Sequence, residues 1–358
     1  MVKYGVGRQS DAYHRLALSS CVFSLLLLFR QSERGLQSRS TIEGCAPQCT
    51  SPTEHGCDSL STAKPGSSEC LILYRASPYI QAIQASVLGL PIAGSCDTGS
   101  KGGCSSTKPY EPDLRYWGLD WPPTGYSMQG SVRLTNFRAA IDDVNRANIP
   151  GAIVELGVWR GGGMILAAAV NKESKTTRAI ILFDAFDIIK NYGEFETFLS
   201  VREQDVRDGF KSFNLLDENV RFETGLFAET LPQFYLSKSI ENIAVLRVDG
   251  NFYDSYQDAM YYLYEFVPVG GIIIFDDVMS HAPVARFWND FKAEQGLSED
   301  LVRIDHHSAW FRKQIALKIN WTYFRAPQDS NVEQRRNRGC PTLISRLSHG
   351  ECHASWYT

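Results

Sequence analysis

Between residues 152 and 278 the chain alternates short apolar runs with longer amphipathic ones. The short runs are "AIVEL" (152–156), "AIILFDAF" (179–186), "VRFETG" (220–225), "IAVLRVDG" (243–250) and "GGIIIFDDV" (270–278). The stretches between them, such as "GGGMILAAAVNK", "EQDVRDGFKSFNLL" and "SYQDAMYYLYEFV", carry apolar residues at helical spacing. Strands joined through helices of ten or more residues pair in parallel by right-handed crossovers, so their C-terminal ends share one edge. The pattern therefore predicts an α/β fold, a mostly parallel central sheet with helices on both faces. Ligands of such open sheets bind at the shared edge.

Acids gather on that edge. Asp184 ends the second run, Asp249 the fourth, and Asp276 with Asp277 the fifth, while Glu155 lies just inside the end of the first. Carboxylates are among the costliest groups to place near a core, so their joint placement asks for a ligand. The first turn, "VELGVWRGGG", lets backbone approach a bound molecule and offers it helix N–H groups. It is not the dinucleotide fingerprint, because Val158, Trp159 and Arg160 separate Gly157 from Gly161. With Asp184 placed to take two ribose hydroxyls, these signals leave NAD(P) and S-adenosylmethionine in competition. Asp249, Asp276 and Asp277 favour the second. Three close carboxylates repel unless a cation sits among them, and hard oxygen ligands without a nearby His or Cys call for Mg²⁺ or Ca²⁺, with Mn²⁺ a further option.

The segments "DWPPTGYSMQG", "IPGAIVELGVWRGGG", "VRFETGLFAETLP", "IAVLRVDGNFYDSYQDAMYYLY" and "VGGIIIFDDV" follow one another in order over roughly 115–315. Together they resemble the macrocin O-methyltransferase (TylF-type) family, which methylates sugar hydroxyls of glycosylated natural products. The resemblance implies the class I methyltransferase (Rossmann-like) sandwich, S-adenosyl-L-methionine as donor, Mg²⁺, a hydroxyl-bearing and glycosylated small-molecule acceptor, and a homo-oligomer. Carried onto matching positions, it places Glu155 and Gly157 along the donor, Asp184 on its ribose and Gly225 near its adenine, with Arg160 and Met128 as further donor-side residues. It gives the metal to Asp249, Asp276 and Asp277.

One position departs from that family. Its motif commonly reads Asp-Gly-Asp, the second acid resembling a base near the acceptor hydroxyl, whereas this chain has Asp249-Gly250-Asn251. Asparagine does not accept a proton at neutral pH. Asp254, His281 or a metal-bound hydroxide would then take it; the alternatives are a donor-binding protein with weakened catalysis or a luminal interaction module on the same scaffold. His306-His307 reads as structural, since alternation along a strand would send the two rings to opposite faces. Tyr253, Tyr256, Tyr261, Tyr262 and Tyr264 read first as packing residues.

The rest of the chain says less. A net charge of −4 leaves no basic surplus for nucleic acid. Residues 111–325 are expected to form the methyltransferase domain and 326–358 a polar tail. Residues 31–110 are rich in Ser and Cys; Cys45, Cys49, Cys57, Cys70, Cys96 and Cys104 all precede the core. They fit disulfides in an oxidising compartment, unpaired or metal-bound thiols, or a misassembled gene start. Residues 1–30 hold the apolar run "LALSSCVFSLLLLF" (16–29) flanked by Arg15 and Arg30, as in a signal peptide or short membrane anchor. Entry to the secretory pathway is the expectation, and a cytoplasmic location follows if that segment is an artefact.

Overall fold

The computed structural model describes residues 75–90, 95–96, 107–186 and 196–324. The apolar N-terminal run, the polar tail and the side chains of all six clustered cysteines lie outside the described residues, and so does the localisation expectation built on them. Among the described residues no helix is long and apolar enough to cross a membrane.

Seven strands form the main sheet: β1 (Ala152–Leu156), β2 (Ile180–Asp184), β3 (Val220–Thr224), β4 (Ile243–Val248), β5 (Ile272–Phe275), β6 (Val302–Arg303) and β7 (Ala309–Arg312). Their spatial order is β3-β2-β1-β4-β5-β7-β6. The first five pair in parallel, while β7 runs antiparallel to both β5 and β6. The expected α/β class I sandwich is thus present. A separate two-stranded ribbon pairs Ser95–Cys96 with Thr107–Lys108.

Helices cover both faces: α1 (Pro78–Val87), α2 (Pro112–Trp117), α3 (Gly130–Arg146), α4 (Gly162–Ser174), α5 (Glu203–Ser212), α6 (Phe227–Ser237), α7 (Tyr253–Leu263) and α8 (Ala282–Gln295). Strand alternation sorts the core between them. Ile153, Leu182, Val245 and Ile274 pack with α1, α3, α4 and α5, whereas Val154, Phe183, Leu246 and Phe275 pack with α6, α7 and α8. Glu155, Arg247 and Asp276 follow in phase with the first set, so all three face the side of α3 and α4. That parity puts charge beneath the α3 N-terminus.

The packing boundary falls earlier than composition indicated. Ile80, Ile83, Val87 and Leu88 are buried in the same core as α3 and α4, and the Val87 carbonyl accepts from the Tyr126 and Ser127 N–H groups at 2.7 and 3.0 Å. Burying a large aliphatic side chain contributes about 1.5–3 kcal/mol. A chain starting at residue 111 is therefore expected to melt at least ~10 °C below one starting at residue 75. Equal melting temperatures in differential scanning calorimetry would show that α1 adds nothing.

Candidate active site

The turn after β1 is shaped by backbone. Gly157 has φ +81°, and a Cβ there would overlap the Asp249 carbonyl oxygen. Trp159 has φ +49°, a left-handed conformation unfavourable for a bulky residue. Asp184 holds this turn: its Oδ2 accepts from the Val158 and Trp159 N–H groups at 2.8 and 3.1 Å, and its Oδ1 from Phe186 N–H at 3.1 Å. Burial raises its pKa, and the backbone N–H donors of Phe186, Val158, Trp159 and Ala185 offset that only in part. Gly225, expected near the adenine, follows β3 and donates its N–H to the Asp184 carbonyl at 2.9 Å. Met128 sits on the loop that crosses α4, where Gly162 N–H donates to Tyr126 O at 2.8 Å.

Arg160 belongs to the same turn. Its Nη1 donates to the carbonyls of Pro122, Pro123 and Gly125 at 3.3, 3.1 and 2.9 Å, and its guanidinium stacks 4.2 Å from the Trp159 ring. It thereby clasps the Pro-rich entry loop. Trp159 joins the same clasp, donating from Nε1 to Phe198 O at 3.1 Å.

Glu155 and Arg247 are direct cross-strand partners on β1 and β4. Arg247, fully buried, donates from Nη1 to Glu155 Oε1 at 2.6 Å and from Nη2 to Asp276 Oδ2 at 2.8 Å and Asp249 Oδ2 at 3.2 Å. Gln129 adds a bond to Glu155 Oε1 at 3.1 Å, while Glu155 Oε2 is buried without a hydrogen-bond partner. Burial pushes the Glu155 pKa up to about 7, outweighing Arg247 and Gln129. From the arginine's side the balance reverses: burial alone would lower its pKa, but Asp276, Asp249 and Glu155 together raise it.

The sign of the resulting pH effect follows. A carboxyl whose folded pKa lies above its ordinary 4.5 contributes stability that is complete below that value and lost as pH rises through about 7. Glu155→Gln removes the loss. Its stability relative to the parent is expected to rise by about 3 kcal/mol from pH 4.5 to pH 8, as read from denaturant unfolding at several pH values. A pH-independent difference would refute the assignment.

Asp249, Asp276 and Asp277 present carboxylate oxygens within 4.8 Å of one another. The three are not equivalent. Burial first, and then Asp276 and Asp277, hold Asp249 well above the ordinary carboxylate value. Burial would do the same to Asp276, but Arg133 and Arg247 hold it far below. Arg133 reaches both Asp276 oxygens from Nη1 at 3.1 Å, pairs from Nε with Asp305 Oδ2 at 3.2 Å, and donates from Nη2 to Trp117 O and Gly118 O at 3.3 and 3.2 Å. The Ser308 hydroxyl donates to Asp276 Oδ1 and the Tyr256 hydroxyl contacts its carbonyl. Asp277 has φ +57°; burial and Asp276 raise its pKa, and His281 opposes them.

The structure therefore brings together Asp249, Asp276, Asp277 and His281, whose N–H donates to Asp277 O at 2.6 Å. Asp254 lies in the first turn of α7, and Asn251 adopts φ +59° just before it. The histidine pair needs correction. Residues 305–308 form the turn between β6 and β7, not a strand, so alternation does not apply. His306 lies against Trp117, ring centroids 5.4 Å apart, while His307 Nδ1 comes within 3.9 Å of Asp277 Oδ1. The tyrosines do pack: Tyr253 and Tyr261 bond Asp290 and Glu294 on α8 at 2.9 and 3.2 Å.

Sequence reasoning missed Arg133, Arg247 and His307. Arg247 had a signal, a cation inside the apolar run "IAVLRV" two residues before Asp249 and so on its face of the strand. Arg133 had none, because its partners lie far away in the chain; His307 was singled out with His306 but read as structural on a strand rule that the turn at 305–308 does not obey.

A model of the macrocin O-methyltransferase (TylF) family matches residues 99–313. The demethyldecarbamoylnovobiocin O-methyltransferase of Streptomyces niveus is 35% identical over 218 residues, 57% of this chain and 82% of that protein. The 8-demethyl-8-(2,3-dimethoxy-alpha-L-rhamnosyl)-tetracenomycin-C 4'-O-methyltransferase of Streptomyces olivaceus is 32% identical over 222 residues, 58% and 83% of the two chains. Among solved structures, the O-methyltransferase NovP superposes with a TM-score of 0.60 at 30% identity, over 66% of this chain and 98% of that one.

Proposed function

This chain belongs to the macrocin O-methyltransferase (TylF) family and is an S-adenosylmethionine-dependent O-methyltransferase; from that premise we propose that it methylates a sugar hydroxyl of a glycosylated small molecule with the help of a divalent cation. The relatives' acceptors, a rhamnosyl tetracenomycin in one and mycinamicin III in another, support the acceptor class. The observation that carries the cation is the acidic trio beside β1, whose carboxylate oxygens lie within 4.8 Å of one another, with Asp249 and Asp277 raised by burial and by the neighbouring Asp276.

The residues present fit both groups. The orphaned Glu155 Oε2 awaits a donor beside the Gly157 turn, and the carboxylate oxygens of Asp249, Asp276 and Asp277 lie within 4.8 Å of one another. Glu155, Gly157, Asp184 and Gly225 would hold S-adenosylmethionine, with Met128 on the covering loop. Asp249, Asp276 and Asp277 would hold Mg²⁺, the cation that three hard oxygen donors call for. When bound, the sulfonium supplies the methyl group and the cation lowers the pKa of the acceptor hydroxyl.

The chain's own work is alignment and proton removal. Asp184 keeps the Gly157 turn in shape, and Arg247 ties the donor-side Glu155 to Asp249 and Asp276 across two strands. Holding the acceptor in line with the methyl lowers the barrier by on the order of 7–11 kcal/mol. Asn251 takes no proton, so that role passes to His281 or Asp254. His281 follows the Asp276–Asp277 pair closely, its backbone N–H donating to the Asp277 carbonyl at 2.6 Å.

Calorimetric titration of S-adenosylmethionine into the full chain, followed by labelled methyl transfer to a panel of deoxysugar glycosides, tests the reading. Turnover is expected to disappear in EDTA and return with added divalent cation. Undiminished turnover in EDTA would remove the cation; absence of donor binding would remove the whole reading.

A further inference from the structure

The turn after β1, the segment after β2 and the loop ahead of α3 meet at Arg160. Its Nη1 donates to the Pro122, Pro123 and Gly125 carbonyls, and its guanidinium lies 4.2 Å from the Trp159 ring and 5.2 Å from the Phe198 ring. Phe198 in turn stacks on Trp121, centroids 5.1 Å apart and planes 6° from parallel. The Trp159 Nε1 bond to the Phe198 carbonyl, 3.1 Å long, closes the circle.

The loop that Arg160 holds, residues 121–129, ends on the donor side. Gln129 Nε2 bonds Glu155 Oε1 at 3.1 Å, and Met128 stands one residue before it. Between the clasp and that end the loop presses on α4: Gly162 N–H donates to Tyr126 O at 2.8 Å, and a Cβ on Gly162 would overlap that oxygen. A planar guanidinium bonds carbonyls with its edge while its face lies on an indole; the compact ammonium of lysine has no such face.

We propose that Arg160 is a positioning residue for the donor: it holds the entry loop rather than S-adenosylmethionine itself, keeps Met128 and Gln129 over the bound molecule, and so sets how slowly the donor and its demethylated product leave. The inference rests on the donor reading above and goes beyond it in giving Arg160 a role exerted through the loop. A loop ordered before binding spares the ligand the cost of ordering it. Its contacts exist only once the ligand is seated, so loosening it speeds dissociation more than it slows association.

The test uses the full chain, tritiated S-adenosylmethionine and hydrogen exchange read by mass spectrometry. In donor-free Arg160→Lys the amides of residues 121–129 are expected to exchange at least about tenfold faster than in the parent. Bound label chased with unlabelled donor is expected to leave about tenfold faster, with association changed by less than about threefold. Arg178→Lys controls for lost stability. Arg178 bonds Asn145 Oδ1 and the Gly151 and Ile149 carbonyls at 2.6, 2.7 and 2.7 Å, beside the N-terminal ends of β1 and β2, so its replacement lowers the melting temperature and moves neither rate. Should Arg160→Lys fail to fold, Phe198→Leu removes the ring that touches both Arg160 and Trp121 while keeping the three carbonyl bonds, and is expected to raise both rates about threefold. Faster release with an unchanged loop in the donor-free protein would show that Arg160 contacts the donor itself and overturns the proposal. A loosened loop with unchanged release, or equal acceleration in Arg178→Lys, overturns it as well. A parent that binds no donor removes the donor reading, and this proposal with it.

Discussion

Arg247→Met is expected to destabilise the protein by about 3–5 kcal/mol at pH 7 to 8, measured by denaturant unfolding without added metal. Arg247 sits opposite Glu155 in the β1–β4 ladder and bonds three carboxylates from three strands. Methionine matches much of its volume, so the effect reads the charge more than the packing. Without the guanidinium, Glu155 and Asp249 lose their cationic partner and Asp276 keeps only Arg133. Buried carboxylates left this way are neutralised by protonation. The sign is then fixed: their folded pKa values rise further above the unfolded ones, so the deficit is complete above pH 7 and shrinks as pH falls towards 5. A variant as stable as its parent at pH 8 would mean that the network carries no net charge compensation.

Gly157→Ala is expected to weaken S-adenosylmethionine binding by at least ~100-fold and to cost about 2–4 kcal/mol of stability. The residue combines φ +81° with a position where a Cβ meets the Asp249 carbonyl oxygen. That oxygen belongs to a peptide flanking a ladder bond, Asp249 N–H to Leu156 O at 2.8 Å, so relief requires the β1 and β4 ends to part. They are the ends that carry Glu155 and Asp249. Gly296 provides the control, with φ +68° and nothing within 4 Å of its absent Cβ. Gly296→Ala should cost about 1 kcal/mol and leave donor binding unchanged. Donor titration on the two variants separates backbone strain from the collision; equal effects would show that strain alone matters.

Much of this site was written in local pattern. Parallel strands announce themselves as short apolar runs spaced by helices, and "LRVDG" and "IIFDDV" place acids where such runs must end. Because side chains alternate on strands, even the shared face of Arg247 and Asp249 follows from counting by two. The histidine pair shows the opposite case. Treating residues 305–308 as strand sent the two rings apart on a rule that holds only for extended chain, and a four-residue turn replaced it. Likewise the Ser/Cys-rich composition of residues 31–110 hid α1, whose Ile80, Val87 and Leu88 complete the core.

Sequence by itself determined the fold class, the edge on which the chemistry lies and the acids that stand there, since periodicity encodes burial and burial orders strands and helices. Only the tertiary structure decided the charge state of those acids. Arg133 meets Asp276 from 143 positions away, and Arg247 meets it from 29. Local pattern records which side chains leave water; which charges then compensate one another depends on distances that exist only after the chain has closed.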